Sequence, residues 1–246
     1  MLAGTASLEE LTAHAATLDD FGTDALTLPG AEVFQALFEI RVTGRQTSLP
    51  PSLHPTNPPT FVFQFWRCPE SPWGPFALAQ GRVGSRSGLR PRGHVQGCIC
   101  DNAEAAAALR QRWGFPAQSG TIRLQRGYDV VNASVHIGTQ SLAALTALDP
   151  DPLAPEDVSY ATTVALANTP RGLRLVQIDT DLSVQRAERL HPRLDQFDAA
   201  PWVHESIVPY YPVSASIASG NLTLQRLRYV CRPDELAFSG TETIAD

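Results

Sequence analysis

Between Glu32 and Val42 the chain alternates. Phe34, Ala36, Phe38, Ile40 and Val42 fall on one side of an extended segment, with Gln35, Glu39 and Arg41 on the other. A period of two fits a pleated strand with one buried face, and no helix can satisfy it. The same texture recurs. Thr60 to Arg67 is aromatic and β-branched around Gln64, residues 75 to 83 form a further strand, and Gly93 to Cys100 alternates again. There His94, Gln96, Cys98 and Cys100 share one face, and Val95 and Ile99 the other.

Turn chemistry separates these runs. Ser48 to Pro59 carries five prolines and reads as a loop. Arg82 to Arg92 is rich in Gly, Arg and Ser and reads as an exposed loop. Two strands are expected near Gly120 to Gln125 and Tyr128 to Ile137, split by Arg126-Gly127. A Pro/Asp-rich linker is expected over Asp149 to Asp157, and strands at Arg171 to Asp179 and Leu222 to Cys231. Helices are few. Ser7-Leu-Glu-Glu10 is a capping box that predicts a helix over 7 to 18. Asp101, with Glu104 three residues on, predicts an N-cap and a helix from Asn102 to Trp113, ended by Gly114-Phe-Pro116. The class is α+β, mainly antiparallel β, with a few short helices. One domain spans 1–246, with 1–30 as a helical extension.

Composition closes off several functions. A net charge of −6 offers no field for nucleic acid or an anionic membrane, and no basic patch carries interleaved aromatics. The chain lacks an apolar run long enough to span a bilayer and an N-terminal signal segment, so a cytoplasmic protein with free thiols is expected. Cys68, Cys98, Cys100 and Cys231 show no metal-type pairing, and the six histidines show no HExxH spacing, so no metal or cofactor is expected. His94 and Cys98 stand four apart, about 13 Å along a strand, too far for a thiol–imidazole pair. No GxSxG or phosphate-binding loop is present. The arginines at 82, 86, 90 and 92 read as a solvated loop, and the four tryptophans as core.

All 19 basic residues are arginine. A GC-rich coding bias accounts for lysine loss at the surface, but guanidinium cannot replace a lysine that acts as an amine nucleophile. This matters because of a resemblance. His94-Val-Gln-Gly-Cys-Ile-Cys-Asp-Asn102, the helix after it, Arg110-Gln-Arg-Trp-Gly-Phe-Pro116 and then Ala117-Gln118 resemble the acetoacetate decarboxylase-like family. The likeness is carried by 94–137 and extends less closely over 33–83. It implies a β barrel or cone around a small-molecule cavity, and often a homo-oligomer. In that family one lysine forms a Schiff base and its neighbour depresses the pKa of the first.

The resemblance places Ala117 and Gln118 at the two lysine positions. Gln64, Gln80 and Gln111 stand where glutamates would, Arg110 and Phe115 match, and Cys98 takes a pocket-lining position. Gln can neither act as general base nor repel a like charge; it only hydrogen-bonds. The only amine left is the terminal one at Met1. The expectation is a cofactor-independent enzyme that cannot use Schiff-base decarboxylation. It would be a non-covalent lyase, isomerase or cyclase on a keto acid or polyketide-like carbonyl compound, in secondary metabolism. Gln118, His94 and His136 are its candidate catalytic groups; Gln64, Gln80, Cys98, Arg110, Gln111, Phe115 and Ala117 would bind substrate. The alternative is a silent small-molecule-binding protein.

Overall fold

The computed structural model describes residues 2–22, 24–87 and 90–244. The first half holds α1 (Leu8–Thr12), β1 (Ala16–Thr17), β2 (Leu26–Ile40), α2 (Gly44–Thr47), β3 (His54–Pro55), β4 (Thr60–Cys68), β5 (Phe76–Ser87), β6 (Arg90–Cys100), α3 (Ala103–Trp113), β7 (Ala117–Ser119) and β8 (Thr121–Arg126). The second holds β9 (Val130–Ile137), β10 (Gln140–Leu153), β11 (Thr162–Thr169), β12 (Gly172–Ile178), β13 (Thr180–Phe197), β14 (Pro209–Leu224), β15 (Tyr229–Cys231), α4 (Ala237–Gly240) and β16 (Thr241–Thr243).

All strands join one sheet in the order β16-β15-β12-β11-β6-β5-β4-β2-β14-β13-β10-β9-β8, with β1 beside β11, β3 beside β5 and β7 beside β6. Pairing is antiparallel except where β11 and β7 meet β6 and β1 meets β11. The expected mainly antiparallel class is therefore present. Of the expected barrel or cone, the sheet takes an unclosed form: the order has two ends, β16 and β8, that do not pair with each other. The sheet curls instead, so that β8 lies against β5 and β6. Among the described residues no helix is long and apolar enough to cross a membrane.

Each face of the sheet carries its own core. One is aromatic: Phe34, Phe38, Phe61, Phe63 and Phe65 pack with Ile99, Val164 and Trp202. On the other, α3 lays Ala105, Ala106, Leu109 and Trp113 against Val33, Trp66, Leu78, Val95, Cys98 and Cys100. The tryptophans expected in the core include Trp66, Trp113 and Trp202, all buried. Gly81 and Gly97, register partners on β5 and β6, sit under the loop after β13. A Cβ on Gly97 would meet the Trp202 backbone oxygen at 1.9 Å, and one on Gly81 would meet Val203 at 2.9 Å. These two positions exclude a side chain so that the loop can seat.

Several local expectations change. The Ser7 cap forms, accepting from the Glu10 amide, but the helix stops at Thr12, because Ala16–Thr17 is drawn into pairing with β11. The cap of α3 is Asn102, which accepts from the Glu104 and Ala105 amides, each at 3.0 Å. Asp101 accepts instead from the Ala77 amide at 2.6 Å, tying the helix start to β5. The Asp149–Asp157 linker is mostly strand: β10 runs to Leu153 through a bulge at which Asp149 takes φ 55°. The Arg82–Arg92 loop is also strand, with β5 reaching Ser87 and β6 starting at Arg90; Gly88 and Leu89 lie outside the described residues. Arg82 and Arg92 are buried, not solvated.

The face assignment in β6 changes as well. Gly97 pairs with Gly81 and Val95 with Arg82, which leaves Gln96 as an inserted residue. This bulge shifts the alternation. Val95 joins Cys98 and Cys100 on the α3 face, while His94 lies in register with Val83 and Val164 of the aromatic core.

Candidate functional site

Five residues form a straight row across the sheet. Gln35 on β2 pairs with Gln64 on β4, Gln64 with Gln80 on β5, Gln80 with Cys98 on β6, and Cys98 with Ala117 on β7. Directly opposed residues project to the same side of a sheet, so the row lies on the α3 face. Its amides are chained. Gln64 Nε2 donates to Gln35 Oε1 at 3.1 Å, and Gln64 Oε1 accepts from Trp66 Nε1 at 3.0 Å and Gln80 Nε2 at 3.4 Å. Gln80 Oε1 is buried without a partner. Cys98 is fully buried, and burial pushes its thiol pKa well up, with Cys100 adding to the shift and Arg110 opposing it.

Arg82 sits two residues beyond Gln80, on the same face, and is only 2% exposed. Its Nη2 donates to Gln35 Oε1 at 2.8 Å; Nη1 donates to Thr163 Oγ1 at 2.9 Å and to the Ala161 carbonyl at 3.3 Å. All three acceptors are neutral, and Nε has no partner. Desolvation lowers the Arg82 pKa to about 10, against a smaller pull from Tyr160. The guanidinium stays charged at neutral pH, and it passes over Gly93, where a Cβ would come within 3.2 Å of its Cδ.

A cavity of about 350 Å³ opens where β6 loses its neighbours. On the side away from β5, β6 pairs with β11 through Arg92–His94 and with β7 through Cys98–Cys100. Val95, Gln96 and Gly97 lie between those two strands with no partner there, and they line the cavity. The other walls are the α1 segment (Glu10, Leu11, His14), Pro116, Gln118, Leu166 and the loop carrying Trp202, Val203 and His204. Gln96 is anchored outward, its Nε2 donating to the Ser48 carbonyl at 2.7 Å. His204 Nδ1 accepts from the Ser206 amide and contacts its hydroxyl at 2.6 Å.

His94 belongs to this wall but is 1% exposed, and neither ring nitrogen has a hydrogen-bond partner or a path to solvent. Burial lowers its pKa to about 4; the backbone of Val164, its register partner, acts weakly against that without meeting hydrogen-bond geometry. The imidazole is neutral at physiological pH. Trp202 Nε1 is a third buried polar atom without a partner in the same wall.

The expected site residues therefore divide. Gln64, Gln80, Cys98 and Ala117 come together in the row. Arg110 reaches it by donating to the Ala117 carbonyl at 3.3 Å, and Phe115 packs edge-on against Trp66 in the same core. His94 and Gln118 border the cavity. Gln111 is exposed on α3, and His136 stands on β9 between Thr121 and Ser141, in neither place. The Met1 amine lies outside the described residues. The sequence reading missed Gln35 in the row, Arg82 and Thr163 beside it, and Gln96, Trp202 and His204 at the cavity. One signal existed: Gln80 and Arg82 stand two apart, which places them on one face once the strand is carried past residue 83. Among the described residues no cluster of His, Cys, Asp or Glu is placed to hold a metal.

The architecture has known counterparts. An acetoacetate decarboxylase from Legionella pneumophila subsp. pneumophila str. Philadelphia 1 superposes with a TM-score of 0.74 over 91% of this chain and 88% of its own, at 22% identity. The chain has the acetoacetate decarboxylase-like fold. Similar too are the enduracididine biosynthesis enzyme MppR, solved with pyruvate, at a TM-score of 0.66, 16% identity and 90% coverage of both chains, and an acetoacetate decarboxylase-like enzyme from Sphingomonas wittichii RW1, at 0.66 and 15%, covering 92% of this chain and 98% of that one. No family model matches the sequence, and no curated protein matches it. Within the acetoacetate decarboxylase-like fold, the positions likened to two acids and the Schiff-base lysine (Gln64, Gln80 and Ala117) share the transverse row.

Proposed function

We propose that this chain binds a small carbonyl compound, a keto acid or a polyketide-like ketone, and promotes its conversion without a covalent intermediate. The reaction class is lyase, isomerase or cyclase. The observation that carries this reading is the make-up of the row: Gln35, Gln64, Gln80, Cys98 and Ala117, with no amine and no carboxylate. Such a row can shape and hydrogen-bond a neighbouring site, but it cannot form an imine or take a proton as a carboxylate would. The fold accommodates more than decarboxylation. MppR has been solved with pyruvate and with the condensation product of pyruvate and imidazole 4-carboxaldehyde.

Binding is assigned to the cavity, whose size suits a small ligand and whose walls mix apolar surface with few polar groups. Gln118, exposed at its edge, and the unpaired edge of Val95–Gly97 hold the carbonyl oxygen and stabilise charge developing on it as an enol forms. His94 enters as a neutral imidazole behind that edge. His136 receives no role. One observation favours a second reading, a binding protein without chemistry: the row is packed solid, with Gln64 and Gln80 buried and bonded to each other.

Three measurements test these readings. Borohydride reduction in the presence of acetoacetate leaves no adduct on any internal residue by intact mass; an internal adduct defeats the non-covalent reading. With the true substrate, Gln118→Ala lowers kcat by roughly 100–1,000-fold, the scale of one lost oxyanion contact. A carbonyl library that binds without turnover leaves the silent-binder reading standing.

A further inference from the structure

We infer that the cavity beside the β6 bulge takes an uncharged carbonyl compound and excludes the carboxylate form of a keto acid. This rests on the assignment of the cavity as the binding site, and it chooses between the two substrate classes named there. The walls are the first reason. Although the chain has 19 arginines, none lines this cavity. Counting histidine as neutral, the only formal charge on its walls among the described residues is the Glu10 carboxylate.

Two arginines on strands and helices beside β6 and β7 are already engaged. Arg82 lies on the opposite face of the sheet, bonded to Gln35, Thr163 and Ala161. Arg110 donates to the Ala117 carbonyl. A carboxylate entering the cavity would lose water, meet no arginine or lysine among the described wall residues, and face Glu10. Taking an unpaired ion out of water costs several kcal/mol, whereas a neutral carbonyl needs only a hydrogen bond.

The polar groups the cavity does offer suit a neutral guest. The Val95–Gly97 edge presents unpaired backbone amide and carbonyl groups, as any strand edge does. Gln118 and Gln96 add amides, and His204 an imidazole. Leu11, Leu166, Val203 and Trp202 supply apolar surface. Together they match a compact ketone, lactone or amide with a hydrocarbon body.

The test compares two probes on the full chain: 4-phenyl-2-butanone, a neutral methyl ketone, and 3-benzoylpropionate, a keto acid of similar size. Binding is read by calorimetry and by the indole N–H resonance of Trp202 in nitrogen-15-labelled protein, assigned with Trp202→Phe. The ketone is expected to move the Trp202 resonance and to bind at least ~10-fold more tightly than the keto acid, about 1.4 kcal/mol. Gln118→Arg, at an exposed edge position, should remove most of that gap by supplying the missing cation. Equal or tighter binding of the keto acid to the unaltered protein overturns the inference, as does a Trp202 resonance unmoved by either probe, or a gap that survives Gln118→Arg. The two readings fail separately. A ketone that binds but is never converted sinks the catalytic proposal and leaves the charge preference intact.

Discussion

Arg82 and His94 bracket the same stretch of β6 from opposite faces, and burial acts on both in one sense. Each is pushed toward its neutral form, Arg82 to about 10 and His94 to about 4. Only the histidine shift crosses an accessible pH range. Its folded pKa lies below its unfolded value of 6.5, so the unfolded chain binds the extra proton first. The neutral imidazole is therefore no burden above pH 6.5, and stability falls as pH drops from 6.5 toward 4. The loss from this residue is about 3 kcal/mol, from ~1.4 kcal/mol per pKa unit. In His94→Leu that increment should vanish. Urea unfolding at pH 7 and pH 4.5 checks it: the variant should match or exceed the parent at pH 7, since it also removes two unpartnered buried atoms, and lose less on acidification. An equal acid loss in both proteins would assign the effect elsewhere. Neither burial was legible in the sequence. Arg82 sat in a Gly/Arg/Ser stretch whose composition resembles a solvated loop, and composition does not report which residues continue a strand.

At the scale of elements, the strands were legible wherever one face is polar, as in β2. They were missed where both faces are covered or where the register breaks. Counting in twos assumes an unbroken pleat, and Gln96, Asp149 and the Pro209–Ser214 end of β14 each interrupt one. Helix caps were half legible, because Asp101 and Asn102 are both good caps and only the tie from Asp101 to the Ala77 amide separates them. The glycines beneath the loop after β13 give the sharpest element-scale expectation. Gly97→Ala places a methyl group against the Trp202 backbone, which cannot swing aside like a flexible side chain. The loop carrying Trp202, Val203 and His204 should lift, at a cost of about 1–3 kcal/mol for overpacking. The cavity should lose that wall. Reduced thermal stability together with loss of 4-phenyl-2-butanone binding would bear this out; unchanged binding would mean the loop is not a wall of the working site.

For the whole molecule, one sheet separates two cores, so neither core can come apart without the other losing its backing. The thiols can report this. Cys68, Cys98 and Cys100 are buried on the α3 face, and burial raises each thiol, Cys100 to about 11. Cys231, half-buried on β15 near the end of the sheet, is raised as well. Labelling with a chromogenic disulfide at pH 8 should modify Cys231 first. The other three should then react together, at a rate set by global opening. Labelling of Cys98 ahead of Cys68 and Cys100 would reveal a local opening of β6 instead. The fold family could be inferred from 94–137 because strand, capped helix and aromatic-Pro turn follow one another there without interruption. Closure could not, because whether the first and last strands of a sheet meet depends on its accumulated twist.

The inserted residue in β6 acts as a phase shifter. Upstream of Gln96 every side chain is displayed with the parity opposite to an uninterrupted ladder. Removing that single position would make Gly97–Gly81 and Val95–Arg82 consecutive pairs, so Val95, His94 and Gly93 would keep their present partners and sides. The loss would fall on the cavity, which would give up the Gln96 wall and its tie to the Ser48 carbonyl. A deletion at Gln96 should thus spare the sheet and close the gap between β11 and β7 from within.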